Sequence, residues 1–331
     1  MRVLIVGANY GLLLAGMMLE RNIQVDVFGT ENQVKVLNKE GFTINSNEKN
    51  WKFRPSNNWD GINSVQNKNY DLAILAVQEP SLANQVFGNI LSYLSKKSVP
   101  IFSIMNIPFF QFLTETIGIQ NIDNVDHIYS SINYTKELKS NLIINSNPEP
   151  QVFSLEKFNE LSVRLGGVFR CSSFNMLNYD LVEKLTMVVN EGLPVKIKQY
   201  ESPWVSISKL PMLVTGNYRC FDNNQLRSIH EAIQSDIILS EVIYNQVVDI
   251  LKKLGASRET IIPFRAYLKA SIKLDAPSSV CRAIDNGKAN VERADKLVQS
   301  LGKSINYKSS EIDSIVNNID HIISSKQRSY E

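Results

Sequence analysis

The sequence predicts an α/β domain with a parallel sheet, followed by an all-α domain. Strand-like and helix-like runs alternate over residues 2–106, which calls for a parallel sheet covered by helices on both faces. The strand-like runs at 70–77 and 99–106 are mostly apolar, as strands buried on both faces are. Beyond about residue 155 the apolar spacing turns helical.

In order, "RVLIV" at 2–6 reads as a β-branched strand, "LLLAGMMLER" at 12–21 as a helix and "IQVDVFG" at 23–29 as a second strand, which together make a βαβ unit. "GFTINS" and "WKFRP" look like short strands. "YDLAILAV" at 70–77 and "VPIFSIMN" at 99–106 suit the interior of a parallel sheet, and "EPSLANQVFGNILSYL" at 79–94 between them has helical spacing. From "LEKFNELSVRLGG" onward the pattern is helical, with long amphipathic stretches at 225–254 and 288–301. The Asn, Pro and Ser of "INSNPEPQVFS" mark the connection, so the expected domains are 1–154 and 155–331.

At 331 residues, with 44% hydrophobic and 21% charged, the chain has enough apolar material for two globular domains. A formal charge of +2 is too small to suggest a nucleic-acid or acidic-membrane partner. Cys171, Cys220 and Cys281 form no CxxC pair, which fits a reducing, cytoplasmic setting. His127, His230 and His321 form no HxxxH or HExxH, so no metal is expected. Arg2 and the apolar run after it have the outline of a secretory signal. Gly7, Asn9 and Tyr10 break that run, and no small-x-small cleavage site precedes Glu20.

Between the first strand and helix stands Gly7-Ala8-Asn9-Tyr10-Gly11. The strict G-x-G-x-x-G pattern uses its glycines for a tight turn, close pyrophosphate approach and helix packing, with phosphate at the helix N-terminus. Here two glycines remain, the loop is one residue shorter, and Asn9, which tolerates a left-handed backbone, stands where a glycine is expected. Both a dinucleotide turn and a Rossmann-type sheet that binds nothing there are open on these residues. In "VFGTENQVK", Asp26 comes too early to meet a ribose, Thr30 and Glu31 are at the expected place, and Lys35 follows a turn later.

The arrangement resembles the ketopantoate reductase (2-dehydropantoate 2-reductase) family, as a divergent member. The resemblance rests on the glycine turn, "FGTENQVKVLNKEGFTI", "DLAILAVQ", "PIFSIMN", "WVSISKLPMLVTGN" and "APSSVCRAIDNGKANVERADKL". It implies a Rossmann domain and a helical domain for substrate and dimerisation, with a homodimer as candidate assembly. It also implies an oxidoreductase of pantothenate biosynthesis that reduces a small 2-keto acid in the cleft between the domains, with NADPH rather than NADH. Carried over, Gly7 to Gly11, Thr30, Gln78 and Asn106 would bind cofactor, and Asn217 and Ser279 substrate. Lys209 would be the catalytic lysine, with Glu292 beside it after a one-residue shift. An ammonium held against the ketone oxygen both stabilises the alkoxide formed on hydride arrival and supplies its proton.

The departures are specific. Gln78 replaces a family lysine, Thr30 stands where an arginine is usual, and Ile107-Pro108 follow Asn106 where glycine is common. Lys184 in "LNYDLVEKL" competes for the lysine role. Without the resemblance, Lys209 is an exposed lysine at a helix start, where a helix dipole would lower its pKa. On the same footing Asn106 and Asn217 are turn and helix-stop residues, Glu292 belongs to a solvated helix face, and Ser278-Ser279 cap a helix. Two other functions stay open: a dinucleotide-binding sensor or interaction protein that has lost the chemistry, and an opine-type or 6-phosphogluconate-type dehydrogenase.

Overall fold

The computed structural model describes all residues except 8, 9, 47, 48, 124, 150, 155, 156, 166, 174, 175, 190–194, 224 and 331. The chain forms two compact units, Met1–Ile117 with Ser131–Ser206, and Gly118–Ser130 with Ile207–Glu331.

The first unit begins β1 (Arg2–Val6), α1 (Tyr10–Leu19), β2 (Gln24–Phe28), α2 (Glu31–Glu40), β3 (Phe42–Asn45), β4 (Asn50–Phe53), β5 (Asn57–Trp59), α3 (Ile62–Gln66), β6 (Leu72–Leu75), α4 (Gln85–Lys96) and β7 (Ile101–Ile104). After α5 (Val125–Ile128), which belongs to the second unit, it resumes with α6 (Ile132–Thr135), β8 (Ile143–Pro148), β9 (Gln151–Ser154), β10 (Glu160–Leu165), β11 (Gly167–Ser173), α7 (Met176–Val189) and β12 (Val195–Tyr200). Eight strands form one sheet in the order β12-β11-β8-β7-β6-β1-β2-β5. From β8 to β5 every pairing is parallel, and β11 enters antiparallel to β8. This is the expected Rossmann-type α/β fold.

The apolar runs behave as buried strands should, with β6 and β7 buried at every position. Helix α1 is apolar all round because it is covered all round. One core cluster joins its Leu12, Leu13 and Met17 to Val3 and Ile5 of the large sheet and to Phe42, Ile44, Leu161 and Val163. The last four come from a second sheet of order β4-β3-β10-β9, so a layer lies on each side of the helix.

Here the structure corrects the expected division at 154/155. "ELSVRL" and "GVFRCSS", read as the start of the helical half, are β10 and β11, and the first unit continues to Ser206. The reason is visible in the side chains. Leu161 and Val163 alternate with polar residues at the period of a strand and both are buried, while Phe169 and Cys171 do the same in β11.

Asp26 in β2 is fully buried and gathers four donors. Arg2 Nε (3.0 Å), Asn57 Nδ2 (2.8 Å), Tyr70 Oη (3.1 Å) and Trp59 Nε1 (3.4 Å) all point at its carboxylate. Burial, and then the Asp26 charge, push the Tyr70 hydroxyl above its ordinary range. Asp26 thus ties β1, β2 and β5 together and is not a ribose ligand. Asp26→Ala is expected to destabilise the protein by roughly 3 kcal/mol, because it strands buried donors and a guanidinium. Urea denaturation measures this, and a loss under about 1 kcal/mol would mean that water replaces the carboxylate without cost.

The second unit contains α5 and, after Ser206, α8 (Leu210–Thr215), β13 (Phe221–Asp222), β14 (Gln225–Leu226), α9 (Ile229–Gln234), α10 (Ile237–Lys253), α11 (Phe264–Ser271), α12 (Ser279–Asp285), α13 (Ala294–Ser304) and α14 (Ser310–Tyr330). Among the described residues it is helical apart from the small hairpin β13-β14. Asp236 starts α10 by accepting the Leu239 N–H at 2.9 Å. The helix then buries Ile243, Val247, Ile250 and Leu251 on one face. Among the described residues, no helix is long and apolar enough to cross a membrane.

Candidate functional site

The candidates fall into two groups, one in each unit. In the first unit the chain runs from β1 outward to β2 and β5, then returns to lay β6 on the other side of β1. Strand order therefore reverses between β1 and β6, and in open α/β sheets the crevice beyond the carboxyl ends at such a reversal is the ligand site. Gly7 follows β1, Thr30 lies two residues beyond β2, Gln78 three beyond β6 and Asn106 two beyond β7. The topology thus brings these four candidates to one edge of the sheet.

Gly7 has φ +106°, a region side chains rarely adopt, and a Cβ there would lie 2.5 Å from the Ala76 carbonyl oxygen. The backbones approach because the Ala76 N–H donates to the Val6 carbonyl at 2.8 Å. At Gly11 a Cβ would lie 2.9 Å from the Ile5 Cγ2 and 3.1 Å from the Ala76 Cβ. Gly7 therefore serves the tight turn and Gly11 the close seating of α1 on the sheet. Ala8 and Asn9 lie outside the described residues. The Tyr10 ring packs edge-on against Phe169, with centroids 5.8 Å apart, and burial pushes its hydroxyl up to about 12. Its side chain belongs to the core.

Thr30 is exposed and caps α2. Its hydroxyl accepts the Gln33 N–H at 3.4 Å, and its own N–H donates to the Gln33 Oε1 at 2.9 Å. Lys35 is paired with Glu31 at 2.6 Å, both exposed. Gln78 is half-buried at the start of a single turn, Glu79–Leu82. Beside it the buried Glu79 accepts the Ser131 N–H at 2.7 Å. Asn106 is half-buried in the bend after β7.

In the second unit Lys209 occupies the N-cap position of α8 and is half-buried, and Asn217 opens the turn beyond the other end of that short helix. Ser278, not Ser279, caps α12: its hydroxyl accepts the Cys281 N–H at 3.2 Å and donates to the Asn217 carbonyl at 2.6 Å. Ser279 is thereby held next to Asn217 while remaining exposed. Glu292 is buried rather than solvated, with 2% of its surface exposed. Tyr218, adjacent to Asn217, donates its hydroxyl to the Glu292 carbonyl at 2.5 Å and accepts the Ala294 N–H at 2.8 Å. Burial, then Asp295 and Glu292, hold that hydroxyl protonated. Arg293 grips Asp295 at 2.9 and 2.7 Å and fixes the next step of the chain. So Asn217, Ser279 and Glu292 are stitched into one corner. Lys184 is exposed on α7, in the first unit.

A family model described as "Ketopantoate reductase PanE/ApbA" matches residues 3–106. Residues 3–106 are thus similar to the ketopantoate reductase PanE/ApbA family over about a third of the chain. The matched span covers β1 to the bend after β7, and so contains Gly7, Gly11, Thr30, Gln78 and Asn106 but not Lys184. Solved structures share the fold over nearly the whole chain. A 2-dehydropantoate 2-reductase from Geobacter metallireducens is 12% identical at a TM-score of 0.73, covering 97% of this chain and 99% of its own. One from Methylococcus capsulatus is 11% identical at 0.69, covering 98% of each. A D-mandelate dehydrogenase solved with NADH is 15% identical at 0.69, covering 100% of each. No curated protein matches the sequence.

Within the matched span, sequence reasoning missed Ala76, whose carbonyl walls the glycine turn. Its signal was a small residue directly after "DLAIL". In the helical unit it missed Tyr218 and the division of labour between Ser278 and Ser279, neither of which spacing reveals.

Proposed function

We propose that the protein is an NAD(P)H-dependent oxidoreductase that reduces the ketone of a small 2-keto acid. The observation that carries this is the PanE/ApbA match, coinciding with a glycine turn at the strand-order reversal where a Cβ has no room. A strand-order reversal with a tight glycine turn after the first strand is where such sheets take a pyrophosphate, so Gly7 and Gly11 fit the cofactor.

When bound, a nicotinamide dinucleotide supplies the hydride. The Gly7–Gly11 turn would hold its pyrophosphate and Thr30 its ribose end, with Gln78 and Asn106 flanking. Asn217 and Ser279 would orient the substrate carboxylate as neutral donors, without adding a second buried charge. Lys209 would face the developing alkoxide and hand it a proton, while Glu292 sets the polarity of the corner. The sharing of one unit by Lys209, Asn217, Ser279 and Glu292 supports Lys209 over Lys184. NADPH is the preferred cofactor in this reading, with Thr30 and Lys35 nearest the 2′-phosphate, and 2-dehydropantoate is the first substrate to try.

Specific observations favour a second reading, a dinucleotide-binding sensor. Gln78 replaces the family lysine, the Thr30 hydroxyl is engaged in a helix cap, and Lys35 is paired with Glu31. One experiment separates the two: titrate the protein with NADPH and NADH by tryptophan quenching, then follow NADPH oxidation across a panel of 2-keto acids. The reductase reading expects tighter NADPH binding and at least one substrate. Binding without turnover would install the sensor, and binding of neither cofactor would remove both readings.

A further inference from the structure

The substrate corner stands on two thiols that the proposed reaction does not use. Cys220 and Cys281 are both fully buried, and their thiols donate to consecutive carbonyls, Cys220 to that of Gly216 at 3.4 Å and Cys281 to that of Asn217. Both reach the backbone that sets Asn217 and Ser279. The Cys281 sulfur lies 3.1 Å from the Asn217 carbonyl oxygen, and the Ser278 N–H donates to the Cys220 sulfur at 3.4 Å. The cover is thin, since Asn217 is half-buried and Ser279 exposed, so local opening of this corner admits a molecule the size of a peroxide.

We propose that Cys220 and Cys281 are a redox-active dithiol, oxidised by hydrogen peroxide to a disulfide that withdraws the Cys281 sulfur from the Asn217 carbonyl and weakens substrate binding. The effect on substrate rests on the assignment of Asn217 and Ser279 above; the dithiol itself does not. The neighbouring Cys281 side chain holds the Cys220 thiol below its ordinary value against burial, which marks Cys220 as the attacking sulfur. That sulfur attacks one peroxide oxygen: an S–O bond forms, the O–O bond breaks, and the departing hydroxide leaves as water with the thiol proton. The Cys281 sulfur then attacks the Cys220 sulfur, the S–S bond forms, the S–O bond breaks, and a second water leaves with the Cys281 proton. Two thiols and one peroxide thus give one disulfide and two waters, and a dithiol reductant reverses the change by exchange. Closing the bond brings the sulfurs to about 2.05 Å. The Asn217 carbonyl is then left with the Ser278 hydroxyl as its remaining donor of the two.

The test treats the native full-length protein with hydrogen peroxide and reads three things. The expected results are a Cys220–Cys281 crosslinked peptide lighter by two hydrogens, faster amide exchange at Ser278 and Cys281, and a KM for 2-dehydropantoate raised roughly tenfold with NADPH affinity unchanged. Dithiothreitol should reverse all three, and Cys281→Ser and Cys220→Ser should show none. Thiols that stay free in the native protein while reacting in urea would overturn the proposal, as would a crosslink that leaves exchange at Ser278 and Cys281 unchanged. A reduced protein that turns over no keto acid would end the reductase reading, while crosslinking and exchange still decide the dithiol.

Discussion

Lys209→Ala is expected to lower kcat by roughly 10²- to 10⁴-fold, the range lost when a positioned proton donor is removed, with the Kd for NADPH unchanged. The split follows from placement. Lys209 belongs to the unit that carries Asn217, Ser279 and Glu292, while the glycine turn proposed for the dinucleotide belongs to the other. Lys209→Arg refines the test, because a guanidinium keeps the charge that steadies an alkoxide but does not release a proton near neutral pH. It should recover part of the loss at most. Lys184→Ala is the control and should retain turnover. If Lys184→Ala abolished activity and Lys209→Ala did not, the lysine roles would be exchanged.

The second large effect is expected at the glycine turn. Gly7→Ala places a Cβ 2.5 Å from a backbone oxygen at a residue with φ +106°, so the turn must open. The nearest atoms are the Ala76 carbonyl oxygen and carbon, which are backbone and cannot swing aside, and the Val77 Cγ1 follows at 2.8 Å. We expect NADPH binding weakened by roughly a hundredfold, equivalent to about 3 kcal/mol of strain and displaced backbone, together with a lower Tm. Gly11→Ala meets the Ile5 methyl at 2.9 Å, a contact that can yield, and should cost less. Gly61→Ala, with open space around its Cβ, should change neither binding nor Tm. Isothermal titration with NADPH orders the three variants, and equal affinity for Gly7→Ala and Gly61→Ala would remove the turn from the binding site.

Much of the fold could be read from the chain because burial writes itself into local pattern. "DLAILAV" and "VPIFSIMN" had nowhere to be but inside a parallel sheet, and β6 and β7 are there. The reading failed where two periods compete. "ELSVRL" suits one turn of an amphipathic helix as well as a strand, and what decides it is Thr43 to Asn45 pairing alongside, a partner more than a hundred residues away. The site was legible in the same uneven way. Gly7 and Gly11 are read from the backbone they need, so they can be found without a fold. The Asp26 network and the Tyr218 bridge depend on groups brought together across long stretches of sequence, and no spacing rule announces them.

One consequence lies in the path of the chain. The segment Gly118–Ser130 leaves the sheet-bearing unit, joins the helical one and returns. There the Asp123 carbonyl accepts the Ser300 hydroxyl at 3.1 Å and Ile128 is buried. The helical unit is therefore not a contiguous stretch of gene. A recombination crossover near codon 206 that swapped in a foreign C-terminal half would separate α13 from the segment it grew up with. A chimaera that keeps the helical unit whole has to carry Gly118–Ser130 together with the chain from Ile207 onward.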